Sequence, residues 1–110
     1  MAVSDPPEVL TILMTAPDAG EGERVVRRLL DERLIACANI VPGVVSLYRW
    51  EDVVRRDQEV LVVTKSVRRC IPRLLDRAAE LHPYDVPELL VHSVVDGATT
   101  YLNWVEKECR

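Results

Sequence analysis

The segment Ile35 to Trp50 is β-rich for about sixteen positions, where an ordinary strand takes ~5–6 residues. Only Pro42-Gly43 interrupts it. Proline cannot donate to a strand ladder, so a bulge or edge kink is expected there. Beyond the kink, Val45 and Leu47 alternate with Ser46, Tyr48 and Trp50. The charged stretch Glu51 to Asp57 reads as a hairpin turn region, and Gln58 to Lys65 (QEVLVVTK) as the returning strand. So long a hairpin must run past any helices that cover its base. It leaves Val44, Val45, Leu47, Tyr48 and Trp50 in water unless another chain covers them. Exposed edge strands invite that kind of pairing. The length of one strand therefore predicts a homo-oligomer joined through β-structure.

The remaining elements follow from periodicity and punctuation. Glu8 to Thr15 (EVLTILMT) has no polar face, which predicts a strand buried on both sides. Ala16-Pro17-Asp18 ends it. Asp18 followed by Glu21 has the form of a capping box. Val25, Val26, Leu29, Leu30 and Leu34 then recur at helical spacing among Arg24, Arg27, Arg28, Asp31 and Glu32. Gly20 and Gly22 weaken the first turn of that helix. Pro72 fits a helix only in its first turn. A second helix is therefore expected from near Arg69 to about His82, burying Ile71, Leu74, Leu75 and Ala78. Pro83 and Pro87 bracket a rigid loop. Glu88 to Val95 reads as a fourth strand. Asp96-Gly97 turns into a last helix, where Tyr101 and Trp104 pack onto the sheet.

The order β-α-β-β-α-β with a terminal helix is the split-βαβ, ferredoxin-like arrangement of the α+β class. It places an antiparallel four-stranded sheet under two helices. The other sheet face is apolar and needs a cover. The terminal helix covers part of it and a second chain the rest. Residues 1–8 are expected to be flexible and 9–110 to form one domain.

Composition removes several function classes. With 110 residues the chain is one domain long. At 48% hydrophobic and 29% charged residues it is not a disordered composition. A net charge of −4 argues against a nucleic-acid-binding surface. No apolar run approaches the ~18 residues of a membrane span. The opening residues have neither a basic start nor an apolar run, so no signal peptide is read and a cytoplasmic location is expected. Cys37, Cys70 and Cys109 are odd in number and far apart, which is neither a CxxC pair nor a disulfide framework.

The fold class hosts many functions, so residues must decide. RNA recognition on such a sheet needs stacking aromatics, and the sequence has 0 Phe. An acylphosphatase needs a phosphate cradle after the first strand, where Asp18, Glu21 and Glu23 would repel phosphate. Neither histidine has an evident Ser or Cys partner for nucleophilic catalysis, so no enzyme is expected.

Specific motifs remain. They are Met14-Thr15-Ala16-Pro17, the run Leu34 to Gly43 (LIACANIVPG), Ser46 to Glu51 (SLYRWE), Lys65, His82 to Leu89 (HPYDVPEL) and Tyr101-Leu102-Asn103-Trp104. Together they resemble the CutA family of divalent-cation tolerance proteins, over about Val9 to Arg110. The resemblance implies a ferredoxin-like subunit in a tight homotrimer built by strand extension, with an architecture akin to the PII signalling proteins. It also implies tolerance to copper and other divalent ions, without a firmly attached enzymatic activity. Animal relatives are linked to anchoring of acetylcholinesterase.

The same resemblance nominates residues. His82 stands at a histidine implied to bind copper, and imidazole suits Cu(II). The alternative for His82 is a helix C-terminal cap. The family's cysteine and second histidine are Met14 and Leu81 here, which leaves one imidazole and a weak site. Met14 is expected in the core, and His92 as a strand residue without a ligand. Cys37 is expected in the core, with the lining of an inter-subunit cleft as its second reading. Trp50, Glu59, Lys65, Tyr84 and Glu88 match family positions associated with that cleft. There they could form an inter-subunit ion pair that fixes register, or bind a small zwitterion or a hard cation. Two functions follow. One is a homotrimer that binds Cu(II) or a similar divalent ion weakly, with no obligatory cofactor. The other is a PII-like signalling or scaffold trimer that takes a small molecule or protein partner in the cleft.

Overall fold

Asp18 ends the first strand and starts the first helix. Its carboxylate accepts the Glu21 backbone N–H at 2.8 Å, which is half of the expected capping box. Glu21 does not complete it, because its own carboxylate pairs with Arg24. The computed structural model describes residues 7–110. It contains β1 (Val9–Ala16), α1 (Ala19–Asp31), β2 (Cys37–Trp50), β3 (Val53–Val67), a 3-10 turn (Arg68–Cys70), α2 (Ile71–Leu81), β4 (Leu90–Ser93) and α3 (Thr99–Glu108). The sheet order is β2-β3-β1-β4, and every pairing is antiparallel. This is the ferredoxin-like arrangement expected from the element order. Of the stretch expected to be flexible, residues 1–6 lie outside the described residues.

Alternation along the two central strands builds the core. Leu10, Ile12, Met14 and Ala16 of β1 share the helix-facing side with Val60 and Val62 of β3, all buried. Val25, Val26 and Leu29 of α1 and Ile71, Leu74 and Ala78 of α2 close over them. Gly22 is more than a weak point of α1. A Cβ there would meet Val62 at 3.3 Å and Val60 at 3.5 Å, so the missing side chain seats the helix on the sheet. α1 ends in a Schellman motif: the N–H groups of Leu34 and Arg33 donate to Leu29 and Leu30, with Arg33 at φ 61°.

The opposite face of β1 is only half-buried at Thr11, Leu13 and Thr15. The expectation of a doubly buried strand is corrected here. α3 packs on β3 and β1, and Val105 is buried in the core, but Val41 and Leu90 remain exposed.

The long hairpin is present, and its turn is far tighter than expected. Glu51 and Asp52 alone make it, at φ 50° and 63°. Val53 to Asp57, read from their charge as turn, are strand residues paired with Trp50 to Ser46. Charged side chains suit a ladder whose faces are both solvated, so charge did not mark a loop. The expected bulge does occur. Val41 faces Leu61 and Val44 faces Glu59, with Gly43 at φ 77°, so Pro42 and Gly43 together oppose Val60. β4 is shorter than Glu88 to Val95, and α2 begins after a 3-10 turn, with Pro72 in its first turn as expected.

The hairpin projects well beyond the helices. The molecule measures 59 × 26 × 22 Å with a radius of gyration of 15.3 Å, against ~13 Å for a compact chain of this length. Leu47 is 68% exposed and Val54 62%. The turn itself is strained, since two consecutive residues with side chains occupy the left-handed region. Replacing them by Glu51→Asn and Asp52→Gly should raise stability by about 1 kcal/mol. Denaturant midpoints of the two proteins at equal concentration measure this. A lower midpoint in the variant would show that these side chains make stabilising contacts.

Candidate functional site

The loop after α2 is held from three sides. Arg24 reaches from α1 and donates to the Leu81 carbonyl at 2.7 Å, satisfying an end carbonyl of α2. His82 caps the same helix through its backbone N–H to Ala78. Its ring is buried and bound at both nitrogens. Nδ1 lies 3.1 Å from the Tyr84 backbone N–H, and Nε2 lies 2.7 Å from the Thr15 carbonyl. A backbone N–H only donates, so Nδ1 carries the lone pair and Nε2 the proton. The Tyr84 ring packs 4.8 Å away.

Tyr84 in turn donates its hydroxyl to Glu59 at 2.7 Å. Glu59 is only 9% exposed. No Lys or Arg lies within ion-pair distance of it among the described residues. Burial, reinforced by the hydrogen bond to Glu59, pushes the Tyr84 phenol well above its ordinary range. Tyr48 donates to Asp57, and that bond raises its phenol too. Both phenols therefore stay neutral donors at physiological pH.

Between this loop and the underside of the hairpin lies an open cleft of about 900 Å³. Trp50, Glu59, Tyr84 and Glu88, expected at an inter-subunit cleft, line this cleft within one chain. Tyr48, Arg55, Asp57 and Asp85 line it as well and were not anticipated. The register could have located Asp57, which sits diagonally from Tyr48 across the hairpin. The misplaced turn hid that relation.

Lys65 and Cys37 lie elsewhere. They face each other across the β2–β3 ladder. Lys65 is six residues from Glu59 on one strand, or ~20 Å at the usual rise. Lys65 donates to Asn39. Cys37 is half-buried rather than fully in the core as its sequence suggests, because it lies on the open face, where its sulfur contacts the Tyr101 hydroxyl at 3.3 Å. That contact, with burial, pushes the Tyr101 phenol up to about 12. His92 is an exposed residue of β4, and Met14 is buried core. Cys109 is buried, which pushes its thiol up to about 11 and makes it a poor nucleophile.

Among the described residues no group of three or more His, Cys, Asp or Glu is placed to hold a metal ion. Within one chain the donor set of a tight metal site is therefore not assembled. Among the same residues no helix is long and apolar enough to cross a membrane.

These features coincide with one known architecture. The family model described as CutA1 divalent ion tolerance protein matches residues 10–108. A divalent-cation tolerance protein CutA of Thermus thermophilus is 40% identical over 96 residues, covering 87% of this chain and 93% of the relative. A protein of the same description from Salmonella newport is 38% identical over 104 residues, covering 94% and 90%. The crystal structure of CutA1 from Oryza sativa superposes with a TM-score of 0.92 at 33% identity, covering 97% of this chain and 98% of that one. The chain belongs to the CutA1 divalent ion tolerance protein family.

The raised phenols and thiol make stability depend on pH in the alkaline range. A group whose folded pKa exceeds its unfolded value stabilises the fold fully below the unfolded value and loses that contribution as pH rises to the folded one. For Cys109 that window runs from 9.0 to about 11, and for Tyr101 from 10.0 to about 12. Stability should hold up to about pH 9 and fall above it. Tyr101→Phe should flatten the part of the fall between pH 10 and 12, as read from denaturant midpoints against pH. An unchanged slope would show that the Tyr101 hydroxyl is free of Cys37 in solution.

Proposed function

We propose that this chain works as a homotrimer in the cytoplasm, binds divalent cations weakly and directly, with copper or a similar ion as cargo, and has no catalytic role. The observation that carries the reading is the projecting hairpin, whose Val45, Leu47, Trp50, Val53 and Val54 are all exposed in one chain. Strand extension by neighbouring copies would cover them. Membership of a family described by divalent ion tolerance supports the cargo. The three free cysteines fit a reducing compartment.

Weakness follows from the state of His82. To ligate an ion, the ring must give up either its bond to Thr15 or its bond from Tyr84. A lost hydrogen bond costs about 0.5–1.5 kcal/mol, which is up to roughly tenfold in affinity. A single imidazole with no assembled co-ligands adds to that deficit.

A second reading has its own observation. The cleft is of metabolite size, and its wall is held by the His82–Tyr84–Glu59 hydrogen bonds. That favours a PII-like signalling or scaffold trimer with a small molecule or protein partner in the cleft.

Light scattering should give the mass of three chains; a monomer would sink both readings. Calorimetric titration of Cu(II), then Zn(II), into chelator-stripped protein should show weak saturable binding that His82→Ala abolishes, with circular dichroism confirming that the variant is folded. Absence of saturable binding would remove the metal reading. Thermal shifts with metabolites and none with metals would favour the second.

A further inference from the structure

We infer that, in the assembled protein, the hairpin face that carries Arg49 and Arg56 seats against the acidic cleft of the next copy, so that each cleft is completed by two guanidinium groups of its neighbour. This rests on the homotrimer reading and adds which surfaces meet. The hairpin has two unlike faces. Successive side chains of a strand point to opposite sides. Tyr48 donates to Asp57, which places both on the side of the cleft. Arg49, Val54 and Arg56 therefore lie on the other side, and none of the three lines the cleft of its own chain. Both arginines are exposed. Val54 is 62% exposed, and Leu47, the ladder partner of Arg56, 68%. The ladder positions on that side, from Val45 to Arg49 and from Val54 to Gln58, hold no Asp or Glu. The face is apolar with positive charge only.

The cleft has the opposite sign. Asp57, Glu59, Asp85 and Glu88 line it against the single guanidinium of Arg55. Tyr48 and Tyr84 already hold Asp57 and Glu59. Asp85 and Glu88 are exposed, and among the described residues neither they nor Arg49 and Arg56 are in an ion pair. Like-to-like packing of two copies would set arginine against arginine and cleft against cleft. Head-to-tail packing sets each positive face on a negative cleft. A contact between two different patches of one chain is heterologous, and its repetition closes a ring where the rotation allows. Each copy of such a ring gives one hairpin face and receives one. Main-chain pairing along a strand edge carries no charge preference, so these side chains set how neighbouring hairpins are oriented. Complementary charge fixes register and rejects wrong pairings in this way.

Charge reversal on the full chain tests this. One variant carries Arg49→Glu and Arg56→Glu, a second Asp85→Arg and Glu88→Arg, and a third all four changes. The four positions are exposed within one chain, so circular dichroism should show every variant folded. Dissociation of the assembly is followed by light scattering on dilution and in urea. In the first two variants like charges meet at every contact, and the concentration at half dissociation should rise by about tenfold or more. The third variant restores opposite charges with the signs exchanged and should recover most of the parent's affinity. Equal dissociation of the parent and the first two variants would overturn the inference and leave the homotrimer reading standing. Weakening in both without recovery in the third would overturn it as well, because the two patches would then not face each other. A parent that is monomeric throughout would remove the homotrimer reading and the inference with it.

Discussion

The register of one hairpin governs this molecule. A two-residue turn at Glu51-Asp52 and a single bulge at Pro42-Gly43 fix every partner along β2 and β3. The inner half of the hairpin sits in the sheet and contributes Val60 and Val62 to the core. The outer half carries Val45, Leu47, Trp50, Val53 and Val54 with no helix above them. Full burial of one such side chain is worth ~1.5–3 kcal/mol. Five half-exposed ones therefore hold several kcal/mol that a single chain leaves unused. That is the scale of the ~4–15 kcal/mol association cost, so a partner that covers the hairpin must also pair its edge.

The bulge connects this fold to the cleft. It lies where β2 passes from the sheet into the free hairpin, and Val44, the first residue beyond it, faces Glu59. Glu59 is thus the point where β3 leaves the core. From there a line of hydrogen bonds runs through the Tyr84 hydroxyl, the Tyr84 backbone and the His82 ring to the Thr15 carbonyl at the end of β1. The loop between Pro83 and Pro87 is tied to the two central strands, and Arg24 fastens its start to α1. These bonds anchor the wall of the cleft to the sheet and to α1.

Much of this was legible because it is local. The bulge follows from Pro42-Gly43, the helix start from Asp18, the placement of Pro72 from its ring, and the core role of Met14 from its neighbours. The family motifs added the cleft positions. What failed depends on distances between remote segments. Charge at Arg55, Arg56 and Asp57 suggests a turn by sequence, although a strand solvated on both faces carries charge without penalty. That error concealed Asp57 beside Tyr48. Lys65 lies six residues from Glu59 along β3, so the two do not meet within one chain, and an inter-subunit pairing of them is a matter of the neighbouring copy. Gly22 looked like a defect in a helix, and only the seating of α1 on Val60 and Val62 gives its reason. No local pattern encodes a missing side chain on the far partner.

Ion binding at His82 carries a cost that the loop itself sets. His82 is a finished part of the structure: both ring nitrogens are engaged by backbone groups, so an ion gains a ligand only by breaking a bond that holds the loop. Binding there couples to loop opening, and affinity falls by the cost of that opening. One of the two bonds ties the ring to the Thr15 carbonyl near the end of β1, so a ring turned toward an ion also loosens the loop from the sheet.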